Sequence, residues 1–316
     1  MQIIVEKRRK QTANPASGPA KSSGPFPLTV DLPTQAGLTV GELKAAIAKR
    51  VPRLSPERQR LTLSTAGSTP LLDDRAELAS VGVVDGVTVQ VKDLGPQVGW
   101  RTTFICEYLG PFLANPLFYF FPQFFYRSVV GPAVLHSPMQ KVALLLFELH
   151  FAKRLYETIF VHRFSNGTMP LTNLIKNTAY YTLMAGVSVG FWVYGPWNTV
   201  AQASSYRSPL EAAVCVALFL FAEVSNYITH RNLSSLRPPG TRVRKIPRGY
   251  GFDLVSCPNY LFEVMAWVVF TYYTRSLASL AFTLAGAGQM YVWAVKKHRN
   301  YLREFPDYPK DRRAMI

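Results

Sequence analysis

Six apolar runs, at roughly 104–126, 141–161, 177–197, 209–228, 257–274 and 277–295, are each long enough to cross a bilayer as a tilted helix. No other feature limits the fold as much. Hydrocarbon offers the backbone no hydrogen-bond partners, so a chain that crosses it in such runs must be helical. The first run, GPFLANPLFYFFPQFF, is rich in Pro and Phe and reads as one broken helix or a pair, which makes the count six or seven. Residues 1–95 differ, with 13 basic and 9 acidic side chains and no comparable run. The expected fold class is an all-α polytopic membrane domain, residues 96–316, preceded by a small α+β domain, residues 1–95.

The formal charge is +16, which by itself would suit a nucleic-acid binder. The positions argue otherwise, because Lys and Arg sit between apolar runs rather than on one folded surface. Spacing of that kind sets topology. The loop after the fourth run carries Arg231, Arg237, Arg242, Arg244, Lys245 and Arg248, and the tail adds Lys296, Lys297, Arg299, Arg303, Lys310, Arg312 and Arg313. The opposite side offers only Arg127, Arg207 and Arg275. Both termini are therefore expected in the cytosol. Met1–Val5 is too short for a signal peptide and runs into Glu6–Lys10, so insertion is expected through an internal helix. Cys106, Cys215 and Cys257 lack metal-site spacing and read as buried thiols, with no metal expected.

Within the first domain, MQIIVEKR and FPLTVDL read as strands flanking a Gly/Ser/Pro-rich loop, Gln11–Gly24. Thr39 followed by Glu42 is a capping box opening TVGELKAAIAKR, whose Leu43, Ile47 and Val51 share a face. RLTLS, the LLDD element and GVTVQVKD complete a β-grasp pattern. The segment resembles ubiquitin in its MQI start, its TVGELKAAIA helix, SPERQRL and the DG before the last strand. It continues through KDLGPQVGW instead of ending in Gly-Gly, so docking or regulation is expected rather than conjugation.

Ionisable residues within spans are costly and are functional candidates by default. Glu107 enters the first run. In the second, His150 and Arg154 share a helical face with Lys153 beside it, and Glu148 points elsewhere. Glu223, Asn226 and His230 step along one face of the fourth. The basic loop then leads to Pro258, suited to a helix's first turn, with Asn259, Tyr260 and Glu263 following. Guanidiniums beside a helix N-terminus can receive phosphates, and the same loop also reads as a topology signal. The chain contains no GxGxxG or Walker pattern, which excludes Rossmann and P-loop nucleotide binding.

Residues 220–316 are similar to the C-terminal domain of the steroid 5α-reductase superfamily, on Asn226, Leu236-Arg237, IPRGYGF, VSCPNYLFE, Trp267 and the tail KKHRNYLREFPDYPKDRRAMI. The CPNY form and the ubiquitin-like front resemble, within it, the very-long-chain trans-2-enoyl-CoA reductases of the endoplasmic reticulum. That resemblance implies a multi-pass enzyme using NADPH to reduce long-chain enoyl-CoA in the last step of fatty-acid elongation. Its partners would be the bilayer and the other elongation enzymes: elongase, ketoacyl reductase and hydroxyacyl dehydratase. It makes Tyr260 the proton donor, with Lys153 and Glu107 as further functional positions. It places Asn226, Arg237, Asn259, Glu263 and Tyr301 in the cofactor pocket. His230 stands where steroid reductases carry an acid and Phe151 where they carry tyrosine, which argues against a steroid substrate.

The chemistry suits these residue types. Hydride addition at C3 builds an enolate-like charge that needs a proton at C2, and a tyrosine is protonated at pH 7. Lys153 is expected beside Tyr260, stabilising the tyrosinate. Two rival functions remain open at this point: a steroid or sterol double-bond reductase, and a non-catalytic ubiquitin-like membrane adaptor.

Overall fold

The computed structural model describes residues 1–8, 25–33, 37–64, 69–127, 135–164, 167–200, 206–238 and 244–315. The expected loop Gln11–Gly24 lies outside the described residues, as does Arg242. The chain divides into two compact units, Met1–Val98 with Thr168–Leu171, and Gly99–Gly167 with Thr172–Ile316.

In the first unit, strand β1 (Gln2–Lys7) alternates exposed and buried residues, with Ile3 and Val5 inward, as a strand covered on one face must. It pairs antiparallel with β2 (Leu28–Asp31) and parallel with β5 (Thr88–Asp93). Strands β3 (Gln59–Leu63) and β4 (Pro70–Leu71) extend the sheet to the order β2-β1-β5-β3-β4, the β-grasp arrangement. Helix α1 (Val40–Arg50) begins at the expected capping box. The Glu42 amide donates to Thr39 Oγ1 at 3.3 Å, and the Thr39 amide donates to Glu42 Oε2 at 2.7 Å. Two otherwise orphaned donors are thus satisfied locally, and Lys49 and Arg50 complement the other end. Leu43 and Ile47 close the core against Ile3, Val5, Leu61 and Val89. A two-stranded sheet, β6 (Gln97–Gly99) with β7 (Thr168–Pro170), completes the strands.

The second unit is helical. Helix α2 (Trp100–Phe120) runs through Pro111 and Pro116 without ending, and the chain breaks only at Phe121, before the short α3 (Pro122–Phe125). The first apolar run is therefore one helix with a short appendix. Helix α4 (Pro138–Tyr156) continues into a π-helical stretch, Glu157–Val161. Helix α5 (Leu171–Tyr180), a longer π-helical stretch (Tyr181–Val189) and α6 (Gly190–Tyr194) form the next rod. Helices α7 (Pro209–Ser235), α8 (Pro258–Thr274) and α9 (Leu277–Glu304) follow. Small residues let the third rod approach α2: a Cβ on Gly186 would lie 3.0 Å from Ala114 Cβ, and one on Gly190 2.7 Å from Phe118.

Helices α7 and α9 are long and apolar enough to cross a membrane. The unit's exterior carries Phe124, Leu145, Phe160 and Leu277, each at least two-thirds exposed. Its interior holds Glu107, His150, Glu157, Glu223, Asn226 and His230, all buried. That distribution suits a fold whose solvent is hydrocarbon.

Candidate active site

The buried polar residues of α4, α7 and α8 form one hydrogen-bonded network. On α4, His150, Lys153 and Arg154 share a face as their spacing predicts. His150 Nδ1 lies 2.7 Å from Glu223 Oε1 on α7, and its Nε2 lies 3.4 Å from Glu263 Oε1 on α8. Lys153 is anchored twice on α7, with Nζ 2.7 Å from Glu223 Oε2 and donating to Asn226 Oδ1 at 2.7 Å. The Asn226 amide then donates to the Asn259 carbonyl at 2.8 Å. Two hydrogen bonds therefore tie Lys153 to the residue before Tyr260. The side chain of Asn226, not the lysine, fixes the first turn of α8.

Arg154 extends the network. It donates to Glu157 Oε2 at 2.9 Å and to the Tyr108 hydroxyl at 2.7 Å, and its guanidinium lies 4.9 Å from the Tyr108 ring centroid. Glu157, fully buried, is also 3.0 Å from His230 Nδ1. The π-helical stretch begins at Glu157, and such stretches re-aim side chains that an α-helix would point elsewhere. Glu107 accepts from the Asn177 amide at 2.8 Å on α5, away from Lys153's partners.

Tyr260 stands in the first turn of α8, as expected, and packs on α9, with Lys297 Nζ 4.8 Å from its ring centroid and the Trp293 ring 6.4 Å away. Helical geometry gives the reason. Asn259 and Glu263, four residues apart, share the face turned to α7 and α4, whereas Tyr260 is rotated ~100° from Asn259. Tyr301 lies on the same side of α9 as Lys297 and stacks on Tyr308 at 5.2 Å. The structure therefore brings Lys153, Asn226, Asn259 and Glu263 together, and places Tyr260 and Tyr301 in a neighbouring cluster with Lys297.

A cavity of about 720 Å³ lies at the end of α7, lined by Arg101, His162, Arg163, Arg231, Ser234 and Arg237 among others. No carboxylate lines it among the described residues. Arg163 and Arg237 clasp one another, each guanidinium donating to the other's backbone carbonyl. Arg237 Nε is buried without a partner. Burial, and then the charge of Arg244, hold Arg237 below the usual arginine range, so an anion here would be welcome. The His162 ring, lining the cavity, meets His230 edge-on at 4.8 Å. The cavity floor is thus continuous with the network through His230 and Glu157.

Sequence reasoning did not single out Glu157, His162 or Lys297. Glu157 had a signal, standing three and four residues after Arg154 and Lys153. His162 had none beyond following an apolar run, and Lys297 was counted as a topology charge. Glu157, His162 and His230 each bring one ligand atom within 4.8 Å of the others, a spacing that can hold a metal. Both Glu157 oxygens are already engaged, by Arg154 and His230, and Lys153 is 4.0 Å away. A divalent cation would have to displace a guanidinium, so the cluster is better described as a hydrogen-bonded one. All three cysteines are free, Cys215 and Cys257 buried and Cys106 half-buried.

Residues 167–316 match the family described as 3-oxo-5-alpha-steroid 4-dehydrogenase. A Schizosaccharomyces pombe protein provisionally described as an enoyl reductase is 47% identical over 82% of this chain and 84% of its own length. The very-long-chain enoyl-CoA reductase of Dictyostelium discoideum is 44% identical over 90% of this chain and 92% of its own. A human protein described as trans-2,3-enoyl-CoA reductase-like is 33% identical over 88% and 76%. Identity at this level over nearly the whole length leaves no ambiguity of family, and the chain belongs to the enoyl-CoA reductases of the steroid 5α-reductase superfamily.

Proposed function

We propose that the chain reduces the C2=C3 bond of long-chain trans-2-enoyl-CoA with NADPH, as the last reduction of fatty-acid elongation. The observation that carries the reading is the continuity from the arginine-lined cavity, through His162, His230 and Glu157, to the network that fixes the first turn of α8. Relatives described as very-long-chain enoyl-CoA reductases supply the substrate class.

The cavity's chemistry fits a nucleotide's phosphates. Arg101, Arg163, Arg231 and Arg237 would hold them, the unpartnered Arg237 Nε among the donors. When bound, NADPH supplies a hydride to the carbon β to the thioester. The chain's own residues do the rest. Asn226 and Glu263, held by Lys153 and His150, line the route between cavity and α8. Tyr260 gives its hydroxyl proton to C2, quenching the charge that develops towards the thioester oxygen. The buried network excludes water from that charge, which strengthens each dipole aimed at it.

We read six membrane-crossing rods: α2, α4 with its π-helical end, α5 through α6, α7, α8 and α9. Both termini lie on the cytosolic side of the endoplasmic reticulum, and the first unit is a ubiquitin-like docking module for other elongation enzymes. Sphingolipid acyl chains would draw on the same product. The test uses the purified full chain with NADPH and either trans-2-hexadecenoyl-CoA or a 3-oxo-Δ4-steroid. Oxidation of NADPH with the thioester alone is expected. Turnover of the steroid alone would replace this reading with that of the matched family's description, and turnover of neither would favour a non-catalytic adaptor.

A further inference from the structure

A lysine on α9, Lys297, lies against the Tyr260 ring. We propose that Lys297 is the positioning residue of the proton donor, holding the Tyr260 ring and stabilising the tyrosinate that remains once the proton has gone to C2. The inference rests on the reading of Tyr260 as that donor.

Three observations support it. Lys153 is already committed, its ammonium divided between Glu223 and Asn226, with Glu157 at 4.0 Å. Its charge is balanced before any tyrosinate forms. Lys297, in contrast, has no carboxylate partner among the described residues. Its ammonium lies over the Tyr260 ring, 4.8 Å from the centroid. Its charge is therefore available to an oxyanion. Third, the surroundings orient the ring. Trp293, one helical turn before Lys297, packs at 6.4 Å from it, and the ring packs against the apolar cluster of Cys257, Ala294 and Met315.

The step balances. The hydride from the reduced nicotinamide of the proposed reaction forms the C3–H bond with its own electron pair. The pair of the former double bond forms the C2–H bond, and the O–H bond of Tyr260 breaks with its pair left on the phenolate oxygen. The phenolate left behind is paired with the Lys297 ammonium until solvent returns a proton.

The full chain, reconstituted in nanodiscs, is tested with trans-2-hexadecenoyl-CoA and NADPH as Lys297→Met, Lys297→Gln, Lys297→Arg, Tyr260→Phe and the Lys297→Met/Tyr260→Phe double variant. Lys297 is exposed in the fold, so removing its charge leaves the core intact. Tyr260→Phe is expected to lower kcat by ~10²–10⁴-fold, the usual share of general acid catalysis. Lys297→Met and Lys297→Gln should lower kcat by about tenfold to a hundredfold, the worth of one charge-assisted contact. KM for both substrates should hold, and the solvent deuterium isotope effect on kcat should rise as proton donation becomes limiting. Lys297→Arg should recover most of the rate, because the cation is kept. The double variant should be no slower than Tyr260→Phe, since the lysine acts through the tyrosine.

A normal kcat and isotope effect in Lys297→Met and Lys297→Gln, with Tyr260→Phe inactive, would overturn the role of Lys297 and leave Tyr260 as the acid. A double variant slower than Tyr260→Phe would do the same. Near-normal turnover in Tyr260→Phe would instead remove the reading on which the inference rests.

Discussion

In the N-terminal unit, Ile3, Val5, Leu43, Ile47, Leu61 and Val89 are buried, and its charged pairs, such as Arg58–Asp93, lie at the surface. In the helical unit Glu107, His150, Glu157, Glu223 and His230 are buried, while Leu145, Phe160 and Leu277 face outward. The same rule produces both patterns. Each unit hides what its surroundings solvate least well, and the surroundings differ. Water lets the first unit leave its carboxylates outside, whereas the second buries Glu157 and Glu223 against His, Lys and Arg partners and Glu107 against Asn177. An ion pair consequently means different things in the two regions: optional trim in the first, and the core itself in the second.

Cutting one pair in each unit is the most severe test of that contrast. Arg154→Met leaves Glu157 buried without its guanidinium partner, and breaking a buried pair costs about 3–5 kcal/mol. Arg58→Met removes a bidentate contact, at 3.0 and 2.7 Å, from a partly exposed Asp93, and should cost far less, because solvent screens an exposed pair. Calorimetry of both variants of the solubilised full chain, with hydrogen exchange to locate the weakened unit, measures the difference. Equal losses would erase the distinction.

A smaller effect separates binding from folding inside the helical unit. Arg237→Ala should raise the KM for NADPH about tenfold to a hundredfold, by loss of one charge-assisted contact, and leave the enoyl-CoA constant and the melting temperature unchanged. An unmoved cofactor constant in a folded variant would make Arg237 a topology charge only.

The smallest effect sharpens the soluble side. The hydrogen bond from Arg58 is the main cause holding the Asp93 carboxyl below the usual carboxylate range. The folded state therefore favours the ionised form. The resulting stability is complete above the unfolded value of about 3.9 and is lost as pH falls through the lower folded value. Exchange of the β5 amides should accelerate with acidification below about pH 4 in the wild-type chain, and this added acid sensitivity should vanish in Arg58→Met. Persistence in that variant would assign it to another group.

What could be read from the sequence was local. The Thr39–Glu42 capping box spans three residues, and the shared face of His150, Lys153 and Arg154 spans four, so spacing alone recovers both. The apolar runs likewise give the helices of the second unit, because an apolar run of that length depends on composition over a whole helix. The packing of Tyr260 against Lys297 belongs to a different scale. Which helix a side chain meets depends on how three helices rotate against one another, and Lys153 and Lys297 are equivalent cations until that rotation is known. The π-helical turn at Glu157 also leaves no mark in the periodicity, because it adds one residue to a ladder that still looks apolar. Glu157 is missed for that reason, although its partners Lys153 and Arg154 are found.

The first turns of α8 present three residues to three neighbours: Asn259 to α7, Tyr260 to α9 and Glu263 to α4. Because each answers to a separate helix, they are free to change at separate times. A descendant that exchanged Tyr260 for phenylalanine would forfeit the proposed acid yet keep the polar support of Asn259 and Glu263. One that altered His150 and Glu263 would retune the interior without touching the tyrosine. The architecture is thus permissive to inheritance by parts: new chemistry, or silence, can arise on the α9 side of the helix while the α4 and α7 sides preserve the ancestral frame.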